Sequence, residues 1–316
     1  MRVFVAGASG AIGGRLVPML VEAGHAVVAM TRTAEKADAI RASGAEPVLA
    51  DALDEDSVGA AVRAAEPEAV VHQLTALSTM SGNPRKFGEE FALTNRLRTE
   101  GTDHLLAAAR AAGARRFVAQ SYAGWPYARE GGPVKSEEDP LDPDPPAAAR
   151  DALDAMRYLD RVVLGAEGIE GVVLRYGGFY GPGTGIARGE ESALTEPIRK
   201  RRFPVVGGGT GVWSFVHIDD AARATLAALD RGAPGIYNVV DDDPAPVSEW
   251  LPALAEAIGA KPPRRVPTWI GRLAGGEMAV SLMTQVRGAS NAKAKRELGW
   301  QPEHPSWREG FPAVFG

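Results

Sequence analysis

The sequence predicts an α/β protein with a doubly wound parallel sheet and a smaller C-terminal lobe that binds substrate. Up to about residue 175, short runs rich in β-branched residues alternate with longer, alanine-rich amphipathic segments. The short runs are almost continuously apolar, which is typical of strands buried on both faces of a parallel sheet. Residues 177–212 are rich in glycine and proline and break this alternation. We therefore expect the smaller lobe to begin there and to close over the carboxyl ends of the strands.

The predicted elements follow one another in strand–helix order, which fits right-handed crossovers. Strands are predicted at 2–6, 26–31, 47–50, 69–74, 116–120, 171–175, 213–218 and 235–240. Helices are predicted at 11–23, 34–43, 54–65, 90–112, 147–167, 219–231 and 247–259, and a proline-rich tail follows.

Composition excludes several classes of site. The chain of 316 residues has a net charge of −5 and no cysteine, so disulfides, thiolate metal sites and cysteine nucleophiles are excluded. No basic run is long enough to favour a nucleic acid, and no residue spacing is typical of a metal site. No signal peptide or membrane span is predicted, so we expect a cytoplasmic protein. The acidic run 241–243 is interpreted as a solvated turn.

A glycine-rich loop predicts a nucleotide site at the N-terminus. Gly7, Gly10 and Gly13 lie between the first strand and the first helix, with Ser9, Ala11 and Ile12 between them. Such a loop lets backbone N–H groups approach a pyrophosphate at the helix N-terminus. A glycine motif alone is weak evidence, and a turn without a ligand is the alternative, but the strand–turn–helix context favours nucleotide binding.

The end of the second strand favours NADP over NAD. A carboxylate there would bind the ribose hydroxyls of NAD, whereas a basic residue would bind the 2′-phosphate of NADP. The chain has Thr31 and Arg32 at this point, and Lys36 one turn later. The alternative is that Arg32 and Lys36 are surface residues that start a helix. Further along the groove, adenosine contacts are predicted for Asp51, Ala52, Leu74, Thr75 and Ala76.

Six segments together resemble the extended short-chain dehydrogenase/reductases, also called the NAD-dependent epimerase/dehydratase family. They span nearly the whole chain in the family's order, which implies a Rossmann fold and adds Gln120, Tyr176, Gly178 and Phe179 to the expected cofactor site. The fold hosts many reactions, so the resemblance does not specify the chemistry. The segments are GASGAIG (7–13), RRFVAQS (115–121), VVLRYGGFYGPG (172–183), FVHIDDAARA (215–224), YNVVDDDP (237–244) and NAKAKRELGW (291–300).

The chain departs from this family at the catalytic pair. Family members carry a tyrosine and, four residues later, a lysine that lowers the tyrosine pKa for proton exchange with the substrate. No tyrosine in this chain has a lysine four residues later, and Ala152 and Met156 stand at about the expected positions. The resemblance therefore implies an atypical member without the Tyr-x-x-x-Lys pair.

A second departure suggests replacement catalytic residues. Where the family has a serine or threonine after the fifth strand, this chain has Tyr122, preceded by Ser121. We expect Tyr122 to take the acid–base role, with Ser121 or Tyr127 sharing it, and Trp125 to contact substrate. The alternative is that these aromatic residues fill the core under a loop.

The substrate pocket also differs from that of nucleotide-sugar enzymes. Trp213 stands where those members commonly have a diphosphate-binding arginine, and Gly178 where they have an asparagine. This favours a non-nucleotide, partly apolar or aromatic small molecule that contacts Trp213. The alternative is that Arg188 or Arg199 binds a diphosphate instead.

The most favoured function is an NADP-dependent oxidoreductase or epimerase-like enzyme with a non-standard active site. The alternative is a catalytically silent protein that senses NADP(H). A nucleotide-binding domain is predicted at 1–177 with 212–240, and a substrate lobe at 178–211 with 241–316. We expect a small-molecule substrate and neither a nucleic acid nor a membrane partner. The sequence is compatible with a homodimer.

Overall fold

The structure is a computed structural model that describes residues 1–77, 80–81, 83–189 and 194–316. Its centre is a sheet of seven parallel strands in the order β7-β6-β5-β4-β1-β2-β3, which confirms the predicted doubly wound α/β fold. The strands are β1 (Arg2–Ala6), β2 (Ala26–Thr31), β3 (Glu46–Leu49), β4 (Ala69–His72), β5 (Arg116–Tyr122), β6 (Glu170–Tyr176) and β7 (Gly235–Val239).

Twelve α-helices connect and flank the strands in the part of the chain that the structure describes. They are α1 (Gly13–Glu22), α2 (Ala37–Ala42), α3 (Glu55–Ala65), α4 (Phe87–Arg98), α5 (Glu100–Ala111), α6 (Arg150–Leu164), α7 (Thr195–Arg199), α8 (Ile218–Asp230), α9 (Val247–Ala257), α10 (Thr268–Thr284), α11 (Ala292–Glu297) and α12 (Trp307–Phe315). None of these helices has the length and apolar character needed to cross a membrane.

Apolar side chains cover both faces of the sheet. Helices α1 and α8 pack on one face through residues such as Leu16 and Ala221, and helices α3, α5 and α6 pack on the other through residues such as Val62, Leu105 and Leu159. Because the central strands are buried on both sides, their sequences are nearly continuously apolar, whereas the edge strand β3 is partly exposed. This burial explains why the strands could be predicted from the sequence.

Two predicted elements differ from the structure. The single helix predicted at 90–112 is two helices, since Thr99 has φ −100° and ψ −85° and separates α4 from α5. The strand predicted at 213–218 is split into Val212–Trp213, paired antiparallel with Ala245–Pro246, and Phe215–His217, paired parallel with Gly178–Tyr180. Two further short parallel pairs join Val205–Val206 to Arg265–Val266 and Val134–Lys135 to Gly288–Ala289.

The C-terminal segments form a second apolar core, where the sequence predicted only a proline-rich tail after residue 259. Trp250, Trp307 and Phe311 are completely buried there. Helix α10 contains a break at Gly276, whose φ of 73° lies in the left-handed region.

Carboxylates on α8 and after β7 attach this tail to the rest of the protein. Asp220 is completely buried and accepts hydrogen bonds from the backbone N–H groups of Glu303 (2.8 Å) and His304 (2.9 Å). Asp241 accepts from the N–H of Trp307, and Asp242 accepts from Lys295. The interpretation of 241–243 as a solvated turn is therefore wrong for Asp241, which is buried, whereas Asp242 is exposed and Asp243 is half-buried.

Candidate active site

Two glycines fix the loop between β1 and α1. Gly7 has a φ of 93°, and a Cβ atom there would lie 2.6 Å from the carbonyl oxygen of Gln73. A Cβ atom on Gly13 would lie 2.2 Å from the carbonyl oxygen of Gly7. Only glycine fits at either position, because the clashing atoms belong to the backbone. The loop is thereby held against the segment that follows β4.

The same loop presents an anion site at the start of α1. Ser9, Gly10 and Ala11 are exposed, whereas Ile12 is buried. Among the described residues, the backbone N–H groups of Ala11 and Ile12 have no hydrogen-bond partner. Unpaired N–H groups at a helix N-terminus fit a pyrophosphate. The loop thus has the form that a dinucleotide cofactor requires.

Positive charge follows the end of β2. Thr31 is buried, whereas Arg32 and Lys36 are exposed. Neither cation makes an ion pair with any residue that the structure describes. These two side chains can therefore move to a phosphate without breaking an existing bond.

The adenosine end of the groove has the predicted residues at its edge. The Oδ1 of Asp51 accepts from the N–H of Leu53 at 3.0 Å, and the side chain is exposed. Ala52 is buried, and its carbonyl accepts from the His104 ring at 2.9 Å. The three residues after β4 are half-buried, as a groove floor requires: Leu74, Thr75 and Ala76.

The cofactor residues expected at the ends of β5 and β6 divide into two groups. Gln120, Gly178 and Phe179 are half-buried. Tyr176 is completely buried, and its hydroxyl bonds to Gln73 at 3.1 Å and to Thr225 at 2.7 Å. The Tyr176 side chain is part of the core, so the prediction that it contacts the cofactor does not fit this structure.

Three residues predicted from separate parts of the sequence line one small cavity. Tyr122, Trp125 and Trp213 surround it, and its volume is about 10 Å³. The rings of Tyr122 and Trp125 have centroids 6.4 Å apart. Leu282 and Val286 close the cavity from the C-terminal lobe. The cavity thus lies between the sheet and the smaller lobe, and its walls are mainly aromatic and apolar.

Two phenylalanines that sequence reasoning missed extend this aromatic wall. Phe87 and Phe91 on α4 stack with centroids 4.2 Å apart, and Phe87 meets Trp125 edge-to-face at 5.4 Å. Their spacing of four residues places them on one helix face. That spacing could have revealed the pair in the sequence, but the predicted helix began at residue 90 and therefore left Phe87 out.

The positions expected for the catalytic pair are buried and apolar. Ala152 and Met156 lie on one face of α6, and each is 1% exposed. They belong to the same apolar cluster as Phe87, Phe91 and Trp125. Neither position carries an ionisable side chain, so α6 supplies neither a proton donor nor a cation at the two places where the family has its tyrosine and lysine.

The candidate catalytic residues have different surroundings. Tyr122 reaches the cavity, and burial raises the pKa of Tyr122 to about 12. Ser121 is buried, and its hydroxyl has no partner among the described residues. Tyr127 is completely buried; it donates to Asn238 at 2.6 Å and accepts from Arg175 at 3.2 Å. The expectation that Tyr127 shares the acid–base role does not fit this structure, because its hydroxyl is fully engaged away from the cavity.

Trp213 is held in a defined orientation, and neither alternative arginine contacts it. Its indole nitrogen donates to the carbonyl of Leu282 at 2.8 Å, and its ring packs against Trp250 with centroids 4.8 Å apart. Arg188 donates to the carbonyls of Phe315 and Gly316, and Arg199 is exposed on α7.

His217, Asp220 and His304 lie close together, with ligand-type atoms within 4.8 Å of one another. The Asp220 oxygens already accept two backbone N–H groups and a bond from Arg223 at 2.8 Å. A guanidinium in contact with the carboxylate opposes a cation there. The cluster is therefore a structural junction between α8 and the C-terminal tail.

Comparison with known proteins agrees with the fold and the cofactor groove. Residues 3–239 match the model of the NAD dependent epimerase/dehydratase family. A 3-diazoavenalumate denitrifying reductase from Streptomyces sp is 49% identical over 315 residues, covering 98% of this chain and 99% of that protein. A 4-hydroxy-2-methyl-3-oxo-4-farnesyl-3,4-dihydroquinoline-1-oxide ketoreductase from Stigmatella aurantiaca is 29% identical, covering 95% and 92%.

Solved structures of the same kind superimpose over the whole chain. The UDP-glucose 4-epimerase of Thermus thermophilus, in complex with NAD, is 26% identical with a TM-score of 0.74, covering 100% of this chain and 98% of that one. The similarity extends through the C-terminal lobe, so the aromatic cavity occupies a lobe junction that this architecture shares.

Proposed function

This chain belongs to the NAD dependent epimerase/dehydratase family, and from that membership we propose that it is an NADP(H)-dependent reductase that removes a diazo group from an aromatic carboxylate. It is an enzyme of the oxidoreductase or epimerase type with a Rossmann fold. The diazo group and the carboxylate come from the name of the Streptomyces relative. The aromatic ring is inferred from the walls of the cavity.

One observation carries the proposal: Ala152 and Met156 leave the two positions of the expected catalytic pair on α6 without an acid or a cation. Reduction of a carbonyl places negative charge on oxygen and needs a proton donor there. A diazonium group is already cationic, so an incoming hydride neutralises it. An acceptor of this kind needs no tyrosine–lysine pair.

The reaction balances without a proton donor. The bound cofactor would supply a hydride, which forms a bond to the terminal nitrogen of the diazonium group and gives an aryl diazene. The carbon–nitrogen and nitrogen–hydrogen bonds of the diazene then break, dinitrogen leaves, and the hydrogen is transferred as a proton to the ring carbon, which keeps the electron pair of the broken carbon–nitrogen bond. The substrate gains two electrons and loses its positive charge, and the nicotinamide loses two electrons.

The residues of the cavity have positioning roles in this scheme. The cavity of about 10 Å³ is too small for an aromatic ring, so Trp125 and Trp213 would stack on the ring, and exclude water from a reactive diazonium, only after the two lobes move apart. The aromatic walls of the cavity also favour a cationic group, because the faces of aromatic rings attract positive charge. Tyr122 keeps its proton at neutral pH, so it can donate a hydrogen bond to a polar group of the substrate.

The choice of NADP over NAD is supported by Arg32 and Lys36. Both are exposed beside the end of β2, and no carboxylate stands where NAD would need one. The same electrostatic argument separates this chain from nucleotide-sugar enzymes. Trp213, not an arginine, reaches the cavity, so the site offers a diphosphate no charge-assisted bond.

Carbonyl reduction is a second candidate, and Tyr122 is the observation that favours it. A phenol at the cavity is able to donate a hydrogen bond to a substrate carbonyl, which makes reduction easier than oxidation. The Stigmatella relative is a ketoreductase by name. In that reaction Tyr122 would be the acid in place of the missing pair.

A substrate panel tests the proposal. We expect NADPH oxidation with an aryl diazo carboxylate, slower oxidation with aryl ketones and aldehydes, and none with UDP- or dTDP-sugars. A sugar nucleotide that binds at micromolar concentration would contradict the assignment of the pocket. Homodimer formation and a cytoplasmic location remain proposals, and light scattering and localisation of a tagged protein would test them.

A further inference from the structure

Gly124 is required in the cavity wall by a neighbouring side chain and not by its own backbone. It is buried on the loop after β5, it lines the aromatic cavity, and its φ lies outside the left-handed region. A Cβ atom at this position would lie 3.0 Å from Cε1 and 3.3 Å from both Cζ and Oη of Tyr122. The Tyr122 ring and its hydroxyl therefore lie directly against the backbone of residue 124, in space that a side chain would occupy.

This contact differs from those of the cofactor loop. At Gly7 and Gly13 a Cβ atom would collide with backbone atoms, whereas at Gly124 it would meet the side chain of Tyr122. Tyr122 stands where the family has a serine or threonine, and the glycine two residues later gives the larger ring its space. An alanine at residue 124 would displace the ring by a few tenths of an ångström. The position of the hydroxyl thus depends on the glycine.

The Tyr122 hydroxyl is a hydrogen-bond donor without a partner. No residue that the structure describes bonds to it. Among the residues that line the cavity, Ser214 carries the other hydroxyl, and its Oγ already accepts from the N–H of Ala289 at 2.8 Å. A tyrosine hydroxyl in largely apolar surroundings usually has a hydrogen-bond partner. A polar atom of a ligand would supply that partner here.

The space beside this donor is small. The cavity has a volume of about 10 Å³, which is room for roughly one water-sized group. Separation of the lobes would admit the aromatic ring of a substrate. Tyr122 and Gly124 lie two residues apart on one loop, so their contact belongs to a single lobe and is kept when the lobes separate. The reacting group of a substrate would therefore meet a donor in a defined position, with little room to either side.

We propose that Gly124 determines the substrate specificity of this site, because it places the Tyr122 hydroxyl beside the reacting group and leaves room there for an unbranched group only. A terminal diazo group, a nitrile and an aldehyde are unbranched, whereas a methyl ketone carries an additional carbon. The inference rests on the proposed function, since it requires an aromatic carboxylate in the cavity. A pocket of defined size discriminates against one additional carbon by about 10- to 200-fold.

Binding of two unreactive benzoates to the complex of the protein with NADP⁺ tests the proposal without turnover. 4-Cyanobenzoate carries a linear group with the shape of a diazo group, and 4-acetylbenzoate carries a branched one. We expect the wild type to bind 4-cyanobenzoate more tightly, by on the order of tenfold. Gly124→Ala should weaken this binding several-fold, because its methyl group displaces the hydroxyl. Gly132→Ala is the matched control, since its Cβ atom would lie 3.9 Å from the carbonyl oxygen of Val134, an ordinary contact distance.

A double variant distinguishes positioning of Tyr122 from general damage to the loop. Gly124→Ala should weaken 4-cyanobenzoate binding less in a Tyr122→Phe background than in the wild type, because the hydroxyl that it displaces is absent there. Additive effects of the two substitutions would overturn the proposal, and so would unchanged binding by Gly124→Ala.

The wild type alone also decides, so the proposal does not depend on the folding of any variant. Equal affinity of the wild type for 4-cyanobenzoate and 4-acetylbenzoate would overturn it and leave the aromatic carboxylate site in place. Failure of the wild type to bind either benzoate would instead overturn the proposed function, and this inference with it.

Discussion

The indole nitrogen of Trp213 donates a hydrogen bond to the carbonyl oxygen of Leu282 at 2.8 Å. This bond joins the short strand Val212–Trp213 to the end of α10, and both residues line the aromatic cavity. Trp213 is therefore a fixed wall of the cavity, and its orientation depends on a helix that the sequence did not predict.

Replacement of Trp213 should weaken substrate binding. Trp213→Phe keeps an aromatic ring and loses the bond to Leu282, which is worth about 0.5–1.5 kcal/mol. We expect KM for aromatic substrates to rise several-fold with little change in kcat. Trp269→Phe is the matched control, because Trp269 is 65% exposed on the outside of α10. Equal effects of the two variants would show that Trp213 does not contact substrate.

Removal of Arg32 should weaken NADP binding selectively. Loss of a charge-assisted phosphate contact costs roughly 1.5–3 kcal/mol, so Arg32→Ala should bind NADP at least tenfold more weakly and NAD equally well. Calorimetry with both cofactors measures this. Arg41→Ala is a suitable control, since Arg41 lies on α2 and pairs with Asp38. Tighter binding of NAD than of NADP by the wild type would contradict the cofactor assignment.

The fold was more predictable than the site, for a physical reason. Strands buried on both faces are continuously apolar, and the Gly7–Gly13 loop has spacing that local sterics impose, so both are visible in the sequence. Tyr122, Trp125 and Trp213 could be singled out because the family has other residues there. Phe87 could not, because its importance depends on the position of Trp125 beside it.

Tyr122 should not titrate in the working range of the enzyme. Burial raises its pKa to about 12, so kcat should show no ionisation of Tyr122 at neutral or mildly alkaline pH. Because the folded protein holds this proton more tightly than the unfolded chain, whose tyrosine pKa is about 10, the free energy of unfolding should fall as pH rises above about 10. Denaturant titrations of the wild type and Tyr122→Phe measure this, and identical pH dependence in the two proteins would count against it.

The same variant separates the two candidate reactions. If Tyr122 donates a hydrogen bond to a carbonyl, Tyr122→Phe should lose on the order of 10²-fold in kcat with aryl ketones. It should keep most of its kcat with a diazo substrate, which needs no acid. Tyr158→Phe serves as the control, because Tyr158 bonds to Asp103 on the helical layer away from the cavity. An equal loss of kcat with both substrates would show that Tyr122 packs in the cavity wall and acts as an acid in neither reaction.

Asp220 should be important for stability and not for chemistry. It is completely buried and receives the N–H groups of Glu303 and His304 together with Arg223. Asp220→Ala leaves these donors without an acceptor, which should lower the free energy of unfolding by about 3–5 kcal/mol. Urea denaturation measures the change, with Asp230→Ala on the exposed end of α8 as the control. A loss below about 1 kcal/mol, the level of an exposed ion pair, would show that Asp220 does not hold the C-terminal tail.

A site without the tyrosine–lysine pair should reduce a diazo group. The most direct measurement is the amount of dinitrogen released for each NADPH oxidised, determined by mass spectrometry with an isotopically labelled aryl diazo carboxylate. We expect equal amounts of dinitrogen and NADP⁺, with an arene that carries hydrogen in place of the diazo group. NADPH oxidation without release of dinitrogen, or release of dinitrogen without NADPH oxidation, would contradict it.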